Sequence, residues 1–353
     1  MAENLGVLQK MRYFAPVSMR YIRNTSTDAA FNMAFDEFML EQLPLDEPVF
    51  CLWQNAPSVI VGLNQNVYTE VNLEYLRAHD IQLARRVTGG GAVYHDLQNL
   101  NYTIVGRTSQ LEVDYPRYMQ FVVDALRSLG VPAEQNGRND ILVEGCKVSG
   151  YAKRVWKDRI MVHGTLMYDV DIDTLSRVLS VEGSKFSAQP EGARHAGGIP
   201  SVHARVANLR DYLPGIGSVQ ELQTELERIL SDDYKDEPLA LSDEQLESVA
   251  QTADAKFRTW EWVYGRSPHA DLVRRRRFSC GTVEAYLSIE KGTVESLSFG
   301  GDFIGNLPTE ELALQLAGCP CRRVEIMQRL SPLPIQDYFD HLTPAELAAL
   351  IAP

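Results

Sequence analysis

Residues Arg85 to Asp96 read Arg-Arg-Val-Thr-Gly-Gly-Gly-Ala-Val-Tyr-His-Asp, and the residue types gathered there could bind an anion. Each glycine costs roughly 0.5–1 kcal/mol of backbone entropy relative to alanine. A run of three therefore implies backbone that passes close to something or takes positive φ. Successive glycine N–H groups can form a concave anion nest, and an arginine beside it can supply bidentate phosphate contacts. The run follows the apolar stretch Ile81 to Ala84 and leads into Ala92-Val93-Tyr94, which reads as strand, turn, strand. No Gly-Lys-Ser/Thr follows, so it is not a P-loop, and no second glycine pattern opens a helix, so it is not a dinucleotide fingerprint. A bare Gly-Gly-Gly is equally well explained as a hairpin tip with solvated arginines.

Other blocks carry chemistry-bearing groups. Asn139-Asp140-Ile141-Leu142-Val143 precedes Lys147-Val148-Ser149-Gly150-Tyr151-Ala152, and His163-Gly164-Thr165-Leu166 follows. A further element runs from Gly198-Ile199-Pro200-Ser201-Val202 to Arg205-Val206-Ala207-Asn208-Leu209. In order and spacing, from about Arg20 to the C-terminus, these blocks resemble the lipoate–protein ligase A family.

The resemblance implies an α+β fold: a large mixed-sheet catalytic domain of the biotin/lipoate ligase type with a small C-terminal α+β accessory domain. It implies that ATP and lipoate give lipoyl-adenylate and pyrophosphate. A lysine of an acceptor lipoyl domain, in 2-oxoacid dehydrogenase subunits or the glycine cleavage H protein, then displaces AMP. ATP, lipoate and Mg²⁺ are the expected small molecules; no metal ligands are assigned. Residue by residue, the resemblance places Arg86, Thr88, Gly91, Ala92, Val93, Tyr94, Asn139, Asp140 and Lys147 at ATP or the adenylate. It places Lys147, Gly90, Gly91, His95, Gly164 and Thr165 at lipoate, and makes Lys147 the catalytic residue.

Such chemistry needs a phosphate cradle, a cation over the α-phosphate, a dry slot for the acyl chain, and exclusion of water from a mixed anhydride. Lys147 could bridge carboxylate and phosphate as a compact point charge. Plainer readings stand beside these. Asn139-Asp140 could be an Asx turn, His163 a satisfied core histidine, and His95 a structural group holding the loop. Trp53, Val61 and Gly62 are candidate slot walls. The run Arg274 to Arg277 is either a solvated turn or a docking patch for acidic lipoyl domains. Cys146, next to Lys147, raises the alternative of an ATP-independent octanoyl or lipoyl transferase with a cysteine nucleophile. A non-enzymatic lipoate- or nucleotide-binding module is the reading from another class.

Composition bounds the rest. The formal net charge of −13 argues against general nucleic-acid binding. No apolar run is long enough to span a membrane, and the N-terminus lacks a signal-peptide apolar region. The five cysteines form neither a disulfide framework nor a zinc pattern, so the cytoplasm is the expected compartment. The expected organisation is a flexible leader over 1–19, a catalytic domain over 20–264 and an accessory domain over 268–353.

The elements that position these residues follow from periodicity. Phe31, Ala34, Phe35, Phe38 and Met39 recur at helical spacing, predicting a helix from Asp28 to Leu43 capped by Ser26-Thr27. Strands are expected at Val49 to Trp53, Ser58 to Val61, Ile81 to Arg85 and Leu100 to Val105. Helices are expected over Val71 to His79 and Tyr115 to Leu129. Ile141 to Val143, Lys147 to Arg154 and Asp158 to Tyr168 read as an antiparallel meander. Capping boxes at Ser218, Ser242 and Thr343 each open a helix. Strands over Arg277–Cys280, Thr282–Ile289 and Thr293–Phe299 are expected in the tail.

Overall fold

A computed structural model of the chain describes residues 19–108, 111–136, 139–179, 206–232, 236–266 and 270–352. The block Gly198 to Arg205 and residues 1–18 of the expected leader lie outside the described residues. Met19 does not share the leader's expected character, since it is 2% exposed and packs in the core.

In chain order the strands are β1 (Arg20–Arg23), β2 (Val49–Trp53), β3 (Ser58–Val61), β4 (Gln82–Arg85), β5 (Val93–His95), β6 (Asn99–Arg107), β7 (Ala133–Gln135), β8 (Asp140–Val143), β9 (Cys146–Trp156), β10 (Arg159–Met167), β11 (Leu272–Phe278), β12 (Gly281–Glu290) and β13 (Thr293–Gly300). A seven-stranded sheet has the order β1-β2-β6-β10-β9-β8-β7. Only the β1–β2 pair in it is parallel, so the sheet is mixed, as expected. Both of its faces are covered, and the strand residues divide by alternation. Phe50 and Leu52 pack with Met119, Val122 and Leu126 of the helix Leu111–Ser128. Cys51 and Trp53 pack instead with the helix Ala29–Glu41.

That second helix is sandwiched. Its Met33, Phe35, Phe38 and Met39 meet the large sheet on one side and Ile60 and Ala84 of a three-stranded sheet, β4-β3-β5, on the other. Burial on two sides makes it apolar almost all round. It is capped by Asp28, whose side chain accepts from Phe31 N–H at 2.7 Å, rather than by Ser26-Thr27. The expected helix over Val71 to His79 is the short helix Leu73–Ala78, and a further short helix, Val67–Glu70, precedes it; each has an asparagine N-cap. Ser242 and Thr343 form complete capping boxes. At Ser218 the box is half made, because Glu221 accepts from Gly217 N–H instead of from Ser218.

The strands flanking the glycine run do not form a hairpin. β4 pairs parallel with β3 and β5 pairs antiparallel with it, on opposite edges, so residues 86–92 cross over the end of β3.

The tail has its own core, built from Val283, Leu287, Phe299, Leu312, Ile326, Phe339, Leu347 and neighbours. Its sheet is β11-β12-β13. The Arg274–Arg277 run is part of β11, not a turn: Arg275 pairs with Glu284, Arg277 with Asp302, and Arg274 donates to the Ile351 carbonyl. Among the described residues no helix is long and apolar enough to cross a membrane.

Candidate active site

One cavity, of about 110 Å³, brings together most of the residues singled out in the sequence. Arg86, Gly90, Gly91, Ala92, Val93, His95, Asn139, Lys147, Gly164 and Thr165 line it, with Trp53 and His163. Thr88, Tyr94 and Asp140 are not on its wall. Alternation on β5 turns Val93 and His95 toward the cavity and the Tyr94 side chain the other way, into an apolar cluster with Val59, Val61 and Val67. Val61 is in that same cluster and is likewise not a slot wall. Gly62 is a close-approach residue instead, since a Cβ there would lie 2.0 Å from the Gly90 carbonyl oxygen.

The floor of the cavity is a row across the large sheet. Trp53 on β2 is opposite Asn101 on β6, and Asn101 is opposite Thr165 on β10. Gly150 on β9 donates its N–H to Thr165 Oγ1 at 3.2 Å and is opposite Asp140 on β8. Neighbouring strands lie about 4.8 Å apart, so Asn101 and Gly150, two strands apart, are separated by about 10 Å, the reach of an extended medium-chain acid.

Lys147 reaches the Gly150 end through a break in strand regularity. In a regular strand, residues three apart point to opposite faces. Here the register shifts between Ile141 and Leu142: Ile141 faces Ser149 and Leu142 faces Lys147, leaving Val148 as the extra residue. The bulge sends Val148 into the core on the far face and turns Lys147 onto the cavity face. Its ammonium lies 2.7 Å from Asp140 Oδ1, and a Cβ on Gly150 would be 2.8 Å from it.

The glycine loop is shaped from inside. The Arg86 guanidinium is buried and donates to the carbonyls of Ile60, Gly89 and Gly91 and to Thr88 Oγ1, at 2.7–3.2 Å. Burial, with Arg85 beside it, pulls its pKa down to about 10, which leaves it charged near neutral pH. Arg85 works the same way on the other side, donating to carbonyls of Gly62, Leu63, Gln65, Trp262 and Val263. Both guanidinium groups thus hold backbone, and Arg86 also lines the cavity. Gly90 takes φ +91°, a conformation open to glycine, and donates to the Phe303 carbonyl of the tail.

A buried polar chain supports the loop from below. Trp53 Nε1 donates to Thr103 Oγ1, which donates to Asp36 Oδ1. Asp36 Oδ2 and His163 Nδ1 are 2.7 Å apart, and His163 Nε2 is 2.7 Å from Thr88 Oγ1. With Nδ1–H donating to the carboxylate, Nε2 accepts from the Thr88 hydroxyl, which in turn accepts from Arg86 Nε. Every member is satisfied, which is what makes such a chain rigid. Thr88 is therefore spent on the support. Asp36 was missed in the sequence because it lies among Phe35, Phe38 and Met39 on a helix read for its apolar positions. A carboxylate inside that stripe was the available signal.

His95 differs. It is 3% exposed, and burial, together with Arg86 and His163, pulls its pKa down to about 3, so it is neutral. Among the described residues no group of three or more His, Cys, Asp or Glu is arranged to hold a metal. All five cysteines are free; Cys146 pairs in register with Val143 and is not on the cavity wall.

The mixed sheet, the crossing glycine loop and the lysine at one end of an acyl-length floor define the architecture of a cofactor–protein ligase. P. falciparum LipL1 in complex with lipoate shares the fold, with a TM-score of 0.69 at 22% identity over 89% of this chain and 94% of that one. A lipoate–protein ligase A bound with ATP superposes with a TM-score of 0.60 at 27% identity, over 70% of this chain and 99% of that one.

Residues 28–231 match the lipoyl protein ligase A/B catalytic domain, and residues 267–351 match the bacterial lipoate protein ligase C-terminus. Lipoate–protein ligase 1 of Staphylococcus aureus is 35% identical over 336 residues, which cover 95% of this chain and all of that protein. The chain belongs to the lipoate–protein ligase family.

Proposed function

We propose that this protein is an ATP-dependent lipoate–protein ligase in which Lys147 serves both half-reactions. A lipoate carboxylate oxygen attacks the α-phosphorus of ATP; the P–O bond to pyrophosphate breaks and lipoyl-adenylate forms. The uncharged ε-amine of an acceptor lysine then attacks the acyl carbon, AMP leaves, and the amine proton is lost to solvent as the amide forms. Lys147, at the carboxylate end of the floor, stabilises the negative charge that develops on the phosphoryl oxygens and then on the acyl oxygen. Arg86 shapes the loop that closes over the reacting atoms, and Asn139 flanks the nucleotide. Mg²⁺ would accompany the nucleotide phosphates, where Asp140 would supply a carboxylate to it and the ion would offset phosphate charge.

The observation that carries this reading is the bulge that places the Lys147 ammonium over Gly150, at the end of a floor of acyl length. Cys146 lies off that wall, which leaves the cysteine-dependent transferase reading without its nucleophile. The lipoyl domains of 2-oxoacid dehydrogenase subunits and the H protein are the acceptors in this reading, and the cytoplasm is where they meet the enzyme.

Incubation with ATP, lipoate and a lipoyl domain should add the mass of one lipoyl group to one acceptor lysine. Modification without ATP, or a thioester trapped on Cys146, would overturn the assignment.

A further inference from the structure

The end of the cavity remote from Lys147 carries two buried polar atoms that an aliphatic chain cannot satisfy. His95 Nε2 and Asn101 Nδ2 are shielded from solvent and have no hydrogen-bond partner among the described residues, and both side chains are on the cavity wall. They sit at the same end. Asn101 is opposite Trp53 across β2 and β6, and the Trp53 ring meets the His95 ring edge-on at 6.1 Å.

The proton position on His95 is fixed by neighbours. Asn32 Nδ2 donates to Asn55 Oδ1 at 2.8 Å, with its other N–H shared between the carbonyls of Ser26 and Gln54. With its oxygen used there, Asn55 turns Nδ2 toward His95 Nδ1 at 3.0 Å. A neutral imidazole that accepts at Nδ1 carries its proton on Nε2. His95, a residue of the cavity wall, therefore carries an unpaired N–H donor. Asn101, on the same wall, is alike: its Oδ1 accepts from Asn99 Nδ2 at 2.8 Å, leaving its own amide nitrogen without a partner among the described residues.

A buried donor left unpaired is costly, so a wall with two of them favours an occupant with acceptor atoms at that depth. We infer that His95 and Asn101 are specificity-determining residues that read the sulfur atoms of the dithiolane ring and so select lipoate over hydrocarbon acids of the same length. The inference rests on the ligase reading above and deepens it. Asn101 is about 10 Å from Gly150 across two strand spacings. An acid whose carboxylate meets Lys147 thus brings its far end to these donors. Divalent sulfur is a weak acceptor, so the preference is modest, and a saturated chain offers nothing in its place.

The test uses a ligand matched in shape. In 5-cyclopentylpentanoate the two sulfurs of lipoate are replaced by methylenes. Binding of each acid to the full-length protein is measured by titration calorimetry without ATP, and ATP-driven ligation of each is measured separately. The wild type should bind lipoate about tenfold more tightly than the carbocyclic acid, the effect of one or two weak hydrogen bonds. Asn101→Leu and His95→Phe should each bring that ratio toward one. The two variants are independent, since His95→Phe strands Asn55 and could perturb folding whereas Asn101 lies on a different strand. Equal wild-type affinities alongside active lipoate ligation would overturn this inference and leave the ligase reading standing. A clear preference for lipoate in a protein that never ligates it would do the reverse. Variants that weaken both acids equally would reduce the two residues to packing and overturn the inference.

Discussion

Gly150→Ala is a test of Lys147 that leaves the lysine in place. Gly150 does not adopt positive φ, so alanine fits its backbone. The added Cβ would lie 2.8 Å from Lys147 Nζ and 2.9 Å from Cε; the nearest other atom is Asp140 Oδ1 at 3.8 Å. The clash is therefore with the far end of a flexible side chain, which can swing away at little cost to folding. Replacing glycine in a compatible conformation returns about 0.4–1 kcal/mol by restricting the unfolded chain. The Lys147–Asp140 ion pair is partly exposed, at 35% and 24% for the two side chains, and is worth about 1 kcal/mol or less. These terms offset one another, so the melting temperature should move by only a few degrees.

Activity should respond much more. Complete removal of one preorganised transition-state donor costs about 10²–10³ in rate. Displacing it by an ångström or so forfeits part of that, giving a loss of about 10–100-fold, or roughly 1.4–2.8 kcal/mol of barrier. Lipoate-dependent exchange of pyrophosphate into ATP reads the first step, and transfer from synthetic lipoyl-adenylate reads the second. Exchange within about twofold of wild type in a folded Gly150→Ala protein would refute the placement of the ammonium over this residue as the source of catalysis.

Other outcomes follow from the same geometry. Lys147→Ala should lose at least about 10² in pyrophosphate exchange while its unfolding midpoint stays close to wild type. A near-normal rate would remove Lys147 from the mechanism. Gly91→Val isolates ligand contact, because a Cβ at Gly91 meets only the Asp302 Cβ at 3.9 Å; stability should hold while calorimetric affinity for ATP falls, and unchanged affinity would mean that no ligand approaches this part of the loop. Glu70 has its pKa pushed up to about 7, first by burial and then by Glu284 and Asp302 of the tail, with Arg275 and Gln65 opposing. Its charged form is thus penalised in the folded state, and stability should fall as pH rises from about 4.5 through 7, by an upper bound of about 3 kcal/mol. Unfolding measured at pH 5 and pH 8 should show a smaller drop for Glu70→Gln; identical drops would refute the assignment of this pH dependence to Glu70.

What the sequence disclosed and what it hid divide along physical lines. Periodicity found β2 and β3 to the residue and found the β8–β9–β10 meander, because one-sided burial writes itself into alternation. It found Lys147 and Gly150 as a motif but not why they meet: a regular strand would put them on opposite faces, and only the bulge at Val148 reconciles them. The tail strand carrying Arg274 to Arg277 reads from sequence as a solvated turn or a docking patch rather than as a strand, because four charges in a row carry no alternation. In the structure cross-strand carboxylates supply what apolar partners would have. Asp36 and Asn101 were passed over for a related reason. Their importance comes from distant partners, Thr103 for Asp36, 67 residues further along the chain, and Trp53 for Asn101 across β2 and β6, and such pairings are set by sheet order rather than by local pattern.

The arginines of the glycine loop show how a segment can be chemically suggestive for one reason and built for another. Arg86 looks like a phosphate ligand, yet its donors face the carbonyls of Gly89 and Gly91. Drawing those carbonyls inward disposes the amides outward, which is the polarity an anion nest requires. The charge sits behind the nest rather than in it, buried where solvent screens it less. One outward amide, that of Gly90, is already taken by the Phe303 carbonyl of the tail, and Asn64 and Asp340 tie the tail down on either side through Gly301 N–H and Lys153. An anion approaching Gly90 must displace a neutral backbone hydrogen bond with a net worth of about 0.5–1.5 kcal/mol, and an ionised acceptor forms one roughly twice as strong. The exchange is favourable for phosphate and unfavourable for a neutral group. The tail contact therefore keeps the loop formed while leaving it responsive to an anion.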